Sequence, residues 1–269
     1  MRKNWMKRMK TIAQRFACTF VYLTASDTAV ERFCNDGQMK ILTQLTIINL
    51  AWGCILAWLW DATFHITWTV FRILNWVIPS VLCAAAITLG LYRKAMMALV
   101  KVILGDRIIL HLLGAGAVVL MVSAVLNYSF HLSSPDPITR LPQQWQWLWP
   151  RPLCRMLITA PLWGAWSMIV LVQFHRPDKR SGPSTERFAR SVKPVVASVY
   201  LVIPFAMTLI FLQYLPAWQR YIPPMLSAMA ALGGGTIIKK RIGFTNREVL
   251  LANNFLTQLA LLIGFLIVR

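Results

Sequence analysis

Long apolar runs separated by short basic segments constrain this chain more than any motif it carries. Six runs, at about 41–60, 66–91, 108–128, 153–174, 194–215 and 249–268, have the length and composition of membrane spans, since a transmembrane helix needs roughly 20 apolar residues. A seventh, Tyr221 to Ile238, is short and rich in small residues. Inside a bilayer the backbone must satisfy its own hydrogen bonds, so such runs predict helices. The expected fold is therefore all-α: a polytopic membrane bundle of about seven transmembrane helices without a large soluble domain. Composition agrees, because only 14% of the residues are charged, against about 25% in soluble domains.

The charge of +19 would suggest nucleic acid in a soluble protein. Here its distribution argues otherwise. With seven spans and a cytoplasmic N-terminus, 22 Lys and Arg fall in segments on the inner side and five on the outer side. That is the positive-inside pattern, and it supports counting the seventh run as a span. The partners expected from this pattern are membrane lipid and other membrane subunits, with no nucleic acid. The expected location is a bacterial inner membrane, with an organellar inner membrane as the alternative.

At the N-terminus, Trp5, Met9, Ile12, Phe16 and Phe20 recur at helical spacing, while Lys3, Lys7, Lys10 and Gln14 take the other side. This predicts an amphipathic helix on the cytoplasmic membrane surface. The chain then divides into residues 1–36, surface helix and linker, and 37–269, the bundle. "TNRE" predicts a capping box, Thr245 with Glu248, at the start of the last span. Trp145, Trp147 and Trp149 alternate before an Arg held between prolines and read as an interfacial aromatic anchor.

Several polar residues fall within apolar runs. On a helix starting near Asp61, the residues Asp61, His65, Trp68, Arg72, Asn75 and Pro79 share one stripe. An intramembrane Arg costs roughly 2.5–3.5 kcal/mol on insertion scales, so Arg72 either faces a polar interior or snorkels outward. Asn49, Asn254 and Gln258 read as interhelical hydrogen-bonding amides, or as the lining of a transport path. Ser227, Ala231 and Gly235 form a small-residue ridge.

Catalytic signatures are sparse. The five cysteines lack metal or disulfide spacing and read as small apolar fillers. His65 and His131 lie toward one side and His111 and His175 toward the other, which makes them weak candidates for haem ligation. The chain holds nine carboxylates, of which Asp106, Asp178, Glu186 and Glu248 fall on the cytoplasmic side. Arg176, Lys179 and Arg180 in "HRPDKR" suit a phosphate, or simply a solvated loop. The reading these features favour is a non-enzymatic membrane subunit, for transport or scaffolding, within a larger complex. A redox subunit holding haem or quinone is the alternative, and a lipid-modifying enzyme the second.

Overall fold

The computed structural model describes residues 2–34, 41–70, 77–105, 108–131, 152–177 and 180–268, and among them there are helices and no strands. Four helical stretches are long and apolar enough to cross a membrane: Gln44–Thr67, Pro152–Phe174, Gln219–Ile242 and Arg247–Ile267. Three more, Val77–Leu89, His111–Asn127 and Ala197–Phe211, are apolar but shorter.

The N-terminal half differs from the expected division into spans. Helix α3 runs unbroken from Ile41 to Val70, through the point where the sequence suggested a turn. Asp61 and His65 do not interrupt it, because they lie one turn apart and pair at 3.6 Å. Within the expected second span, α3 accounts for the start, as far as Val70, and α4, Val77–Leu89, for most of the rest, with residues 71–76 outside the described residues. Residues 93–107, expected as a loop, contain the helix α5, Arg93–Leu104. It buries Ala95, Met96, Ala98, Leu99 and Val100 while its cations face outward, and Gly105 ends it at φ 81°, a conformation that favours glycine.

Helix α6 (Ile108–His131) packs beside α4 and α5. Helix α7 (Pro152–Phe174) is the centre of the bundle and is buried almost from end to end. It lies between α3, α9 (Pro194–Phe211) and α12 (Arg247–Ile267), and the short α8 (Pro183–Ser191) precedes α9. On one flank Gly53 of α3 meets α7 so closely that a Cβ there would stand 2.7 Å from the Ile158 carbonyl. Small residues of this kind let membrane helices approach to backbone distance. On the other flank Trp163 and Trp166 donate to Thr208 Oγ1 at 2.9 Å and to the Ala197 carbonyl at 3.0 Å, fixing α9. The exposed residues Ile109, Leu112, Leu113 and Leu120 of α6 and Val195, Val199 and Val202 of α9 give the bundle an apolar outer face.

The seventh run forms α10 (Ile222–Met229), a π-turn over Ala230–Gly234, and α11 (Gly235–Ile242) in one continuous path. Ser227, Ala231 and Gly235 are buried there, with α12 and α7 packed against this path. The cap of α12 departs from expectation: Asn246, not Thr245, accepts the Val249 amide at 2.9 Å. Asn246 stands one residue closer to the first turn, and Glu248 pairs with Lys101 of α5 at 3.5 Å.

Helix α1 (Arg2–Thr24) is followed by α2 (Asp27–Phe33), and Cys18, Tyr22, Leu23, Val30 and Cys34 belong to the same buried core as the bundle. Cys18 and Cys34 form a disulfide. The turn between α1 and α2 brings together two positions that sequence spacing leaves unrelated, so these two are not fillers. Cys83 and Cys154 are buried thiols that donate to the Leu56 and Ala57 carbonyls of α3. Arg247 ties this end to α12: Nε donates to the Tyr22 carbonyl at 2.8 Å and Nη2 to the Ala25 carbonyl at 2.7 Å. Its guanidinium also lies 5.2 Å over the Tyr22 ring. Arg247→Met would leave buried carbonyls unpaired, at about 1–3 kcal/mol each. The variant is expected to unfold at lower temperature in detergent and to lose its N-terminal helix first to limited proteolysis. Arg247→Lys should recover only part of the loss, since one ammonium cannot fork and stack at once. Unchanged melting and cleavage in Arg247→Met would contradict this account.

Candidate functional site

Two polar constellations stand out against the apolar bundle. The first is a buried amide network at its centre. Asn254 and Gln258 share one face of α12, and Gln258 Nε2 donates to Asn254 Oδ1 at 2.6 Å. Asn254 Nδ2 points to Met168 Sδ of α7 at 3.1 Å. The Gln258 amide also hydrogen-bonds the hydroxyl of Tyr92, which caps α5. Tyr92 in turn donates to Asn49 Oδ1 of α3, and Asn49 Nδ2 to the Leu45 carbonyl at 2.7 Å. Asn253 Nδ2 donates to the Ala231 carbonyl, inside the π-turn, at 3.0 Å. The network therefore links α3, α5, α7 and α12.

Space for the network comes from Gly164. A Cβ at that position would stand 2.7 Å from Asn254 Oδ1 and 2.8 Å from Gln258 Nε2. Amides neither gain nor lose protons near neutrality, so this centre supplies rigidity and hydrogen-bonding geometry rather than acid–base chemistry.

The second constellation lies at the end of the bundle where α7, α11 and the start of α12 meet. His175, just beyond α7, contacts Lys239 Nζ of α11 through Nδ1 at 3.3 Å and Thr236 Oγ1 through Nε2 at 3.1 Å. Burial, and then the Lys239 charge, push the His175 imidazole below its ordinary pKa. Lys240 and Arg241 follow on α11, with Arg241 turned onto the Ile103 carbonyl at 3.1 Å. This end is rich in cations and suits anionic groups.

The residues singled out from sequence are distributed unevenly between these places. Asn49, Asn254 and Gln258 meet in the first through Tyr92, a residue that no sequence pattern marks out. His175 is in the second. Asp61 and His65 pair on the exposed side of α3, away from both. Arg72, Asn75, Trp145, Trp147 and Trp149 lie outside the described residues. Of the six-residue stripe, Asp61, His65 and Trp68 lie on α3 and Pro79 on α4, and Arg72 and Asn75 fall outside the described residues. His111 contacts the Gly105 carbonyl, and His131 is the last residue of α6. Glu186 pairs with Arg190 at 3.0 Å, and Asp106 and Asp178 lie outside the described residues. Among the described residues no three His, Cys, Asp or Glu side chains gather to hold a metal ion.

Arg155, one of the five outer-side cations in the seven-span arrangement, is fully buried. Its Nη1 donates to the Phe211 carbonyl at 3.3 Å and its guanidinium lies 5.7 Å over the Tyr214 ring. Its position three residues after a helix-opening Pro152 gives no sign of that burial.

Residues 111–266, from the first turn of α6 almost to the end of α12, match the family model for CobS, cobalamin-5-phosphate synthase. The match covers more than half of the chain, and the chain belongs to this family. No curated protein and no solved structure matches it. With its apolar helices, membership makes the chain an integral, multi-pass membrane protein of the bacterial inner-membrane kind. It also overturns the reading as a non-enzymatic transport or scaffold subunit, because the family is one of synthases. Sparse catalytic motifs favour that reading, but a missing motif excludes only the chemistry that the motif serves.

If Gly164 sets the α7–α12 distance, Gly164→Ala should destabilise the bundle by about 1–3 kcal/mol, the usual cost of overpacking. Adding Asn254→Ala should recover part of that loss, because the clash is between these two residues. Thermal unfolding in detergent reads both. A single mutant melting like the wild type would show that the gap is not needed.

Proposed function

We propose that this chain is a membrane enzyme that takes part in making cobalamin 5-phosphate, with its reacting groups approaching the cationic end of the bundle. The observation that carries this reading is the family match over 111–266, the segment that contributes α7, α11 and α12. Both Asn254–Gln258 and His175–Thr236–Lys239 belong to it. A product that carries a 5-phosphate is anionic, and a cationic surface favours its approach.

In this reading seven segments cross the membrane, the N-terminus is cytoplasmic, and the basic end faces the cytoplasm. Supporting it is the sequence count of 22 cations on that side against five on the other. The four long apolar helices supply some of these crossings, and the shorter apolar helices the others. Residues 1–36 lie along the membrane surface, and 37–269 form the bundle. Trp145, Trp147 and Trp149 anchor the opposite interface. Asn49, Asn254 and Gln258 hold the helices in register rather than line a path for cargo.

Two measurements test this. A bacterial host that makes the cobalamin precursors but lacks its own family member should regain cobalamin-dependent growth when it carries the full chain. Its membranes should then contain cobalamin 5-phosphate by mass spectrometry. Membranes that hold the intact protein without forming that product would sink the assignment. For topology, green fluorescent protein at the N-terminus should fluoresce and alkaline phosphatase after Arg269 should be active. An inactive phosphatase fusion would rule out an odd number of crossings.

A further inference from the structure

Lys239 directs its ammonium at an imidazole nitrogen rather than at a carboxylate. A protonated histidine has no acceptor nitrogen, so the 3.3 Å contact with Nδ1 calls for neutral His175 with its lone pair on that atom. The ring proton then sits on Nε2 and is donated to Thr236 Oγ1 at 3.1 Å. The Thr236 hydroxyl donates in turn to the Leu232 carbonyl, within the π-turn, at 2.6 Å. These bonds fix a direction: Lys239 to His175 to Thr236 to the backbone. Burial and the Lys239 charge favour the same neutral form of the ring.

Three donors belong to an ammonium, and His175 takes one of them. Thr236 and Lys239, three apart on α11, share a helical face that looks toward His175. The groups nearby add positive rather than negative charge. Arg176 follows His175 in sequence and is exposed, and Lys240 follows Lys239. Arg241 bonds the Ile103 carbonyl of α5. Glu248, on the first turn of α12, is engaged by Lys101 of α5 at 3.5 Å. A neutral imidazole held against a cation is a pair that an anion can complete. A phosphate placed between them would accept from Lys239 Nζ and from Nδ1–H of a newly protonated His175, exchanging a donor–acceptor contact for two charge-assisted bonds.

We propose that His175, Thr236 and Lys239 form a binding site for a phosphate monoester at the basic end of the bundle. The identity of the ligand as the cobalamin 5-phosphate group rests on the synthase reading above; the binding chemistry does not. A lipid headgroup ending in a phosphate monoester offers the same chemistry.

The test uses the full chain in maltoside micelles, which contain no phosphate. The His175 ring resonances, identified by their loss in His175→Gln, are followed against pH in inorganic phosphate and in chloride of equal ionic strength. Phosphate should raise the His175 midpoint above its value in chloride. Lys239→Met should abolish the difference and weaken phosphate binding roughly ten-fold or more. Lys239→Arg, which keeps the cation and serves as the folding control, should retain most of the binding. Equal midpoints in the two salts, or a phosphate shift that survives Lys239→Met in a protein still eluting as folded, would overturn the site.

Competition then separates the sources. Displacement of phosphate by cobalamin 5-phosphate but not by cobalamin assigns the site to the product, and displacement by phosphatidic acid alone assigns it to a headgroup; either keeps the site. A chain that makes cobalamin 5-phosphate but shows no phosphate shift leaves the enzyme reading standing and this site refuted. A phosphate shift in a chain that makes no such product does the reverse.

Discussion

The distance between α7 and α12 is set where Gly164 gives up its side chain to Asn254 and Gln258. In a bilayer the lipid tails are as apolar as leucine, so helices gain little by hiding apolar surface from one another. They associate through close packing and polar bonds instead. Gly164 provides both, allowing the backbone approach and admitting two amides that satisfy each other. Gly53 performs the packing half of this task on the α3 side, where the Ile158 carbonyl occupies the space of a missing Cβ. Helix α7 is thus held between two neighbours at near-backbone distance. The Tyr92 hydroxyl then carries the register from α12 to α3 and fixes the start of α5. Arg247 extends the same arrangement to α1, whose C-terminal carbonyls it occupies.

Much of this framework is legible in sequence, and the exceptions share a cause. Helices α6, α7, α9 and α12 coincide closely with apolar runs, because each buries or exposes apolar side chains all round. Asn254 and Gln258 are recognisable as one face by their spacing of four. Hydropathy fails where bonding compensates a polar residue. Asp61 and His65 resemble the end of a span, but they satisfy each other within the helix and α3 continues to Val70. The cations of α5 resemble a loop, yet its five buried residues follow a helical period under them. Contacts between distant segments leave no sequence signal at all. Asn49 and Tyr92 stand 43 residues apart, and Cys18 and Cys34 meet only because the chain turns between α1 and α2.

The enzyme class was illegible for a related reason. Sequence motifs advertise chemistry when nucleophiles, carboxylates or metal ligands stand at fixed spacing. Here the described titratable groups at the cationic end come from separate elements: His175 after α7, Lys239 on α11, Lys101 on α5 and Glu248 on α12. Their meeting is a property of helix packing. Even the shape of α11 depends on its surroundings, since the π-turn before it leaves the Ala231 carbonyl to be taken by Asn253 of α12. π-Turns recur near functional sites because they re-aim the residues that follow. The residues that follow this one include Thr236 and Lys239.

Cations at the end of a membrane bundle have two distinct physical consequences. They set orientation during insertion, for which their number matters and their side-chain geometry does not. They also attract anions, for which geometry decides. Arg187 and Arg247 are each committed to backbone carbonyls, and Lys101 to a carboxylate. Such residues contribute to the orientation count while being structurally occupied. Lys239 is different, because its partner is a titratable ring, and in the proposed site that ring gains a proton when an anion arrives. A fixed carboxylate partner would have neutralised the lysine and closed the site, whereas an imidazole keeps it cationic. In the proposed topology and site, the same basic end orients the protein with most of its cations and receives a phosphate with the few that the fold leaves adjustable.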